Sequence, residues 1–87
     1  MNSTQIQQHV YEFVVNREDF NAPYGVLTGT HVSKKGKKYL SVTFGRSRTL
    51  DATVEIYNRN FIVLRSSRTG SAVFNDYQVL MNQLEIM

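Results

Sequence analysis

Apolar residues recur along this chain with two periods, a helical one near each end and a two-residue alternation between them. Near the N-terminus, Ile6, Val10 and Phe13 follow at helical spacing with Val14 beside them. Thr4 stands as an N-cap, and Gln7, three residues on, completes a capping box. The helix is predicted to stop near Asn16 or Arg17. The stretch NREDFNAPYG is polar and turn-rich, and Pro23 biases Ala22 out of the helical region. The helical period returns at Tyr77, Leu80, Met81 and Leu84, with Asn75 or Asp76 as the cap and Phe74 and Val79 as a hydrophobic staple.

Between these helices the pattern is that of strands. Val26 to Ser33 is rich in β-branched residues, with Val26, Thr28, Thr30 and Val32 on one face. Lys34 to Lys37 reads as a hairpin loop in which Gly36 is free to take a positive φ. Lys38 to Phe44 alternates: Leu40, Val42 and Phe44 point one way, Tyr39, Ser41 and Thr43 the other. Gly45 to Thr49 is expected to be a turn or bulge. Leu50 to Tyr57 alternates again, with Leu50, Ala52, Val54 and Ile56 together. Asn58 to Asn60 is a tight turn, Phe61 to Ser66 a more uniformly apolar and therefore central strand, and Arg68 to Ser71 another turn.

The predicted order is α-β-β-β-β-α. Every link between strands is short enough for a hairpin, so the sheet is expected to be antiparallel. Alternation implies one buried and one wet face, and two helices with one apolar stripe each suffice to cover the buried face. The fold class is therefore α+β: a two-layer sandwich with a sheet of about four strands and both terminal helices on one face.

Length and composition agree. Eighty-seven residues make a single domain, 1–87, with 41% hydrophobic and 20% charged residues. A chain this short forms one small core and no deep cleft. There is no cysteine, so no disulfide framework or thiolate metal site is possible. The N-terminal MNSTQIQQH has no apolar signal-peptide core, and no apolar run is long enough to span a bilayer. A soluble cytoplasmic protein is expected.

Charge changes the picture. The net charge of +3 conceals a division: His31 to Gly70 holds nine basic residues against Asp51 and Glu55, while the rest sets Arg17 against five acids. Six of the ten basic residues lie in HVSKKGKKYLSVTFGRSR, His31 to Arg48, with no acid among them. Such asymmetry suggests an oriented electrostatic surface.

Catalytic chemistry is sparse. His9, in the first helix, reads as a helix-surface or packed histidine. His31 lies beside the basic loop without an evident partner; a small RNA-cleaving activity would have to rest on it. Glu18 and Asp19 are adjacent in a predicted loop. Asp51 and Glu55 sit on the polar face of a strand, placed to pair with arginine or lysine across the sheet. Thr69, Gly70 and Ser71 lack the spacing, lysine and context of a P-loop. No catalytic residue, metal site or cofactor is expected, and the chain is read as a non-enzyme.

The basic middle carries the strongest signal. Lys34, Lys35, Lys37, Lys38, Arg46, Arg48, Arg65 and Arg68 are candidates to hold a phosphate backbone, with Tyr39 and Tyr57 as stacking candidates on the wet face and Phe61 extending it. Aromatic rings that stack bases beside cations that hold phosphates are what a single strand needs. Exposed lysine also protects hairpins and sheet edges from aggregation, and the two tyrosines also suit a cross-strand pair. Arginine, the better phosphate fork, favours the binding surface.

The element order resembles that of the double-stranded-RNA-binding domain, α-β-β-β-α. That family's basic cluster at the start of its last helix is replaced here by Asn75, Asp76, Tyr77 and Gln78. The face resembles that of RNA-recognition motifs, but the glycine-aromatic signature strand and the β-α-β-β-α-β order are missing. In size and composition the chain is similar to small accessory proteins of bacteriophages, many of which inhibit host nucleases, toxins or polymerases. That resemblance implies a host-cytoplasmic setting. Two partners follow: nucleic acid, RNA or single-stranded DNA before duplex, or an acidic or nucleic-acid-binding protein that an inhibitor or antitoxin-like factor docks on through the same basic face. No membrane partner is expected, and oligomeric state stays open.

Overall fold

A computed structural model describes residues 1–17, 25–45, 52–67 and 70–87. Within them the chain forms α1 (Ser3–Val15), β1 (Leu27–Val32), β2 (Lys38–Phe44), β3 (Ala52–Asn58), β4 (Phe61–Ser66), β5 (Gly70–Phe74) and α2 (Tyr77–Ile86). The five strands make one antiparallel sheet in the order β1-β2-β3-β4-β5, each paired with its neighbour in sequence. The α+β architecture with terminal helices is thus as expected, with five strands in place of about four. The added strand is β5, whose first residues fall in what reads as a turn. Gly70, Ser71 and Ala72 have little intrinsic strand preference, and pairing with β4 supplies the order their side chains do not.

Both helices lie on one face, α1 over β2 and β3, α2 over β4 and β5. The core is built from the alternate positions facing them: Val42, Phe44, Val54, Ile56, Ile62, Leu64 and Phe74 from the sheet, Ile6, Val10 and Val14 from α1, Leu80 and Leu84 from α2. β4 is interior, and β3 is the middle strand. Strand β1 lies outside the two helices, which is why all but one of its residues are exposed.

Local signals set the element ends. The first helix is capped by Asn2, two residues before the expected Thr4; its side chain accepts from the Gln5 amide while the Gln5 side chain accepts from the Asn2 amide. Both positions offer a capping box, and starting at Asn2 adds a half-turn. Asp76 caps α2 as expected, accepting from the Gln78 amide. Phe74 ends β5 inside the core, whereas Val79 is exposed. The hairpin at Lys34–Lys37 closes through Ser33, with Gly36 at φ 82°.

Side-chain contacts join the helices. His9 Nδ1 lies 3.1 Å from the Tyr77 hydroxyl, so His9 is an exposed helix-surface residue that links α1 to α2. Arg17 donates to the Leu84 and Met87 carbonyls at the C-terminus of α2, where a cation is favoured by the helix dipole. Among the described residues no helix is long and apolar enough to cross a membrane.

Candidate functional site

The face away from the helices is organised in rows by the strand register. One row runs His31, Tyr39, Tyr57 and Phe61 across β1 to β4; the next runs Gly29, Ser41, Glu55, Val63 and Val73; a third runs Leu27, Thr43, Thr53, Arg65 and Ser71. A β-bulge at Tyr57, between the pairs Ile56–Ile62 and Asn58–Phe61, adds one residue to β3.

The first row is a ladder of rings. His31 stacks on Tyr39 with centroids 5.1 Å apart, and Tyr39 stacks on Tyr57 at 4.9 Å. These separations match the spacing of neighbouring strands, so the rings stand upright like plates. Phe61 breaks the series, meeting Tyr57 edge-on at 5.3 Å and 77°. Tyr39 therefore has a ring on each side. It forms the cross-strand pair that the alternation allowed, and neither of its faces is free for a base. Phe61, 46% exposed and turned across the ladder, is the exposed ring at its β4 end, as His31 is at its β1 end.

His31 is held in place from below. Its Nε2 lies 2.8 Å from Ser41 Oγ, and its ring occupies the space above Gly29. Among the described residues no carboxylate reaches it, and Ser41 is its hydrogen-bond partner. No three histidine or carboxylate side chains among those residues gather to hold a metal ion.

Beside the ladder the β1–β2 hairpin and the β3–β5 surface enclose a groove of about 790 Å³. Its apolar lining is Tyr57, Phe61, Val63 and Val73, and Lys34, Lys35, Lys37 and Lys38 border it on the hairpin side. All four lysines are exposed, and none forms an ion pair with a described residue. Lys38 pairs with Val32 on the pleat opposite Tyr39, so it reaches the groove from the end of the strand and not from the wet face.

Arg65 borders the groove with Ser71. It is not a free phosphate fork: its Nε donates to Glu55 Oε2 at 3.0 Å, and its Nη1 to Ser71 Oγ at 3.4 Å. Glu55 accepts from the Tyr57 hydroxyl as well. The expected pairing of Glu55 across the sheet is thus present, on the arginine assigned to the polyanion surface. Glu55 is 12% exposed in its side chain and Arg65 55%, which leaves the guanidinium projecting beyond its partner. The hydrogen bond and charge of Glu55 hold Arg65 more firmly protonated. Burial, then Glu55, raises the Tyr57 phenol above the ordinary tyrosine value.

The groove unites Lys34, Lys35, Lys37, Lys38, Tyr57 and Arg65, leaving Tyr39 in the adjoining ladder. Arg46, Arg48 and Arg68 lie outside the described residues, as do Glu18, Asp19, Leu50 and Asp51. Val63 was expected beside Phe61 and Arg65 on the wet face, but Val73 was not legible as a site residue, because a valine on a wet face looks the same whether or not a groove crosses it. A second depression, about 470 Å³ at the N-terminus of α1, has one basic side chain, Arg59, and no ring. Compared with protein-family models, curated proteins and solved structures, the chain matches none of them.

Proposed function

We propose that this protein is a small nucleic-acid-binding module that prefers RNA or single-stranded DNA to duplex. One observation carries the reading: four lysines, without ion-pair partners among the described residues, border a groove with an apolar floor and a half-exposed phenylalanine. Cations supply affinity for phosphate, and an accessible ring supplies a platform for an unstacked base. A duplex presents its phosphates but keeps its bases stacked, so it uses only part of such a surface.

The test is binding to mixed-sequence oligonucleotides as salt is varied. The reading expects affinity at low ionic strength that falls linearly on a log–log plot as salt rises. Absence of binding at low ionic strength would refute it.

A second reading draws on the exposure of Val73, 64%, next to Phe61. Such an apolar strip beside lysines also suits an acidic protein surface with a projecting apolar side chain, as an inhibitor or antitoxin-like factor would require. It expects protein capture without affinity for free nucleic acid.

A further inference from the structure

The groove has a direction and a length. Its cations lie on two sides, the hairpin lysines on one and Arg65 on the other, with Phe61, Val63 and Val73 among its lining. Phe61 and Arg65 are on the same strand, four residues apart, and share the open face. At the strand rise of about 3.3 Å per residue they are about 13 Å apart.

We propose that the groove holds a short single strand of about two to four nucleotides running along β4, a proposal that rests on the nucleic-acid reading above. Phosphates lie about 3.4 Å apart along the axis of a stacked strand and farther apart in an unstacked one, so the stretch of about 13 Å from Phe61, where the lysines border the groove, to Arg65 admits at most about four. The hairpin lysines take the phosphates at one end. One base lies on Phe61, the exposed ring that lines the groove. Arg65 takes a phosphate at the far end through the part of its guanidinium that Glu55 and Ser71 leave uncovered. Glu55 is the positioning residue that fixes the direction of this guanidinium. A free lysine at the same place would sweep a wide arc, whereas an arginine tied at Nε presents a fixed edge. The arrangement sets cation, apolar platform and cation in sequence, complementary to phosphate, base and phosphate.

The experiment is an NMR titration of the intact chain with oligouridylates of one to twelve nucleotides, alongside a blunt RNA duplex. Affinity per site is expected to rise through about four nucleotides and then stay level, with shifts concentrated on Phe61, Val63 and Val73. The duplex is expected to bind at least about tenfold more weakly. Phe61→Ala is expected to weaken the four-nucleotide ligand on the order of tenfold or more without changing its salt slope. Arg65→Ala is expected to lower that slope by about 0.7 and to move the plateau to shorter ligands. Affinity that climbs steadily beyond four nucleotides, or equal affinity for the duplex, would overturn the footprint while leaving nucleic-acid binding intact. If no oligonucleotide binds at low salt, both the footprint and the nucleic-acid reading fail.

Discussion

The imidazole of His31 lies where a side chain on Gly29 would have to be. A Cβ built on Gly29 would come within 2.7 Å of His31 Nε2 and 3.2 Å of Ser41 Oγ. The absence of a side chain at Gly29 is what lets His31 lean along its strand to reach Ser41 and still stack on Tyr39.

Gly29→Ala is therefore expected to push the ring off Ser41. The lost hydrogen bond, worth about 0.5–1.5 kcal/mol, is offset by the removal of a flexible glycine from a strand, worth about 0.5–1 kcal/mol. The melting temperature should change little while the His31 ring resonances move. A large loss of stability with unmoved His31 signals would show that the His31 ring does not fill the space above Gly29.

Leu80 and Leu84 seat α2 on the sheet, and both are fully buried. Truncating either to Ala is expected to cost about 2–5 kcal/mol, a large part of a small domain's stability. Thermal denaturation checks this. A shift of only a degree or two in both variants would mean that α2 contributes little to the fold.

Tyr39 and Phe61 should separate stability from binding. Tyr39 stacks on two rings, each such pair contributing about 0.5–1.5 kcal/mol beyond the area it buries, whereas Phe61 meets one ring and is half exposed. Tyr39→Ala is expected to lower the melting temperature more than Phe61→Ala, and Phe61→Ala to weaken oligonucleotide binding more. The opposite ranking in binding would return the stacking role to Tyr39.

Charge reversal at Lys35 and Lys37 tests the hairpin. Both side chains are exposed, so a Lys35→Glu, Lys37→Glu double variant should alter stability by less than about 0.5 kcal/mol per site. Each lost phosphate contact should lower the salt slope by about 0.7 on a single strand. A folded variant that retains full binding would reduce the lysines to a solubility feature.

Tyrosine ionisation gives a pH-dependent signature. Burial, followed by the charge and hydrogen bond of Glu55, raises the Tyr57 pKa in the folded protein; burial raises that of Tyr77. A raised folded value means the native state keeps a proton that the unfolded chain has released. The associated stability is fully present below the unfolded value of about 10 and is lost as pH rises through the folded value. In an absorbance titration of the native protein Tyr57→Phe should remove part of the late-titrating signal and leave that of Tyr77. An undiminished late signal would contradict the assignment.

The helix stripes, the alternation in β2 and β3, and the turns at Gly36 and Asn58–Asn60 were all readable in the sequence, because each follows from the spacing of neighbours along one element. Alternation set Tyr39 and Tyr57 on the wet face and Leu40 and Ile56 beneath the helices, as the register places them. Lys38, expected among the cations of that face, falls by the same period on the pleat opposite Tyr39.

Relations between elements needed the fold. Whether Tyr39 offers a ring face or hides it depends on what His31 and Tyr57 do one strand away on either side, and no spacing within β2 contains that information. The engagement of Arg65 by Glu55 follows from the register of β3 against β4. The strand at Gly70–Phe74 exists because β4 has an open edge to pair with, not because Gly70, Ser71 and Ala72 favour extension. Local chemistry determined which side chains could serve a polyanion; the packing of strands side by side decided which of them remain free to do so.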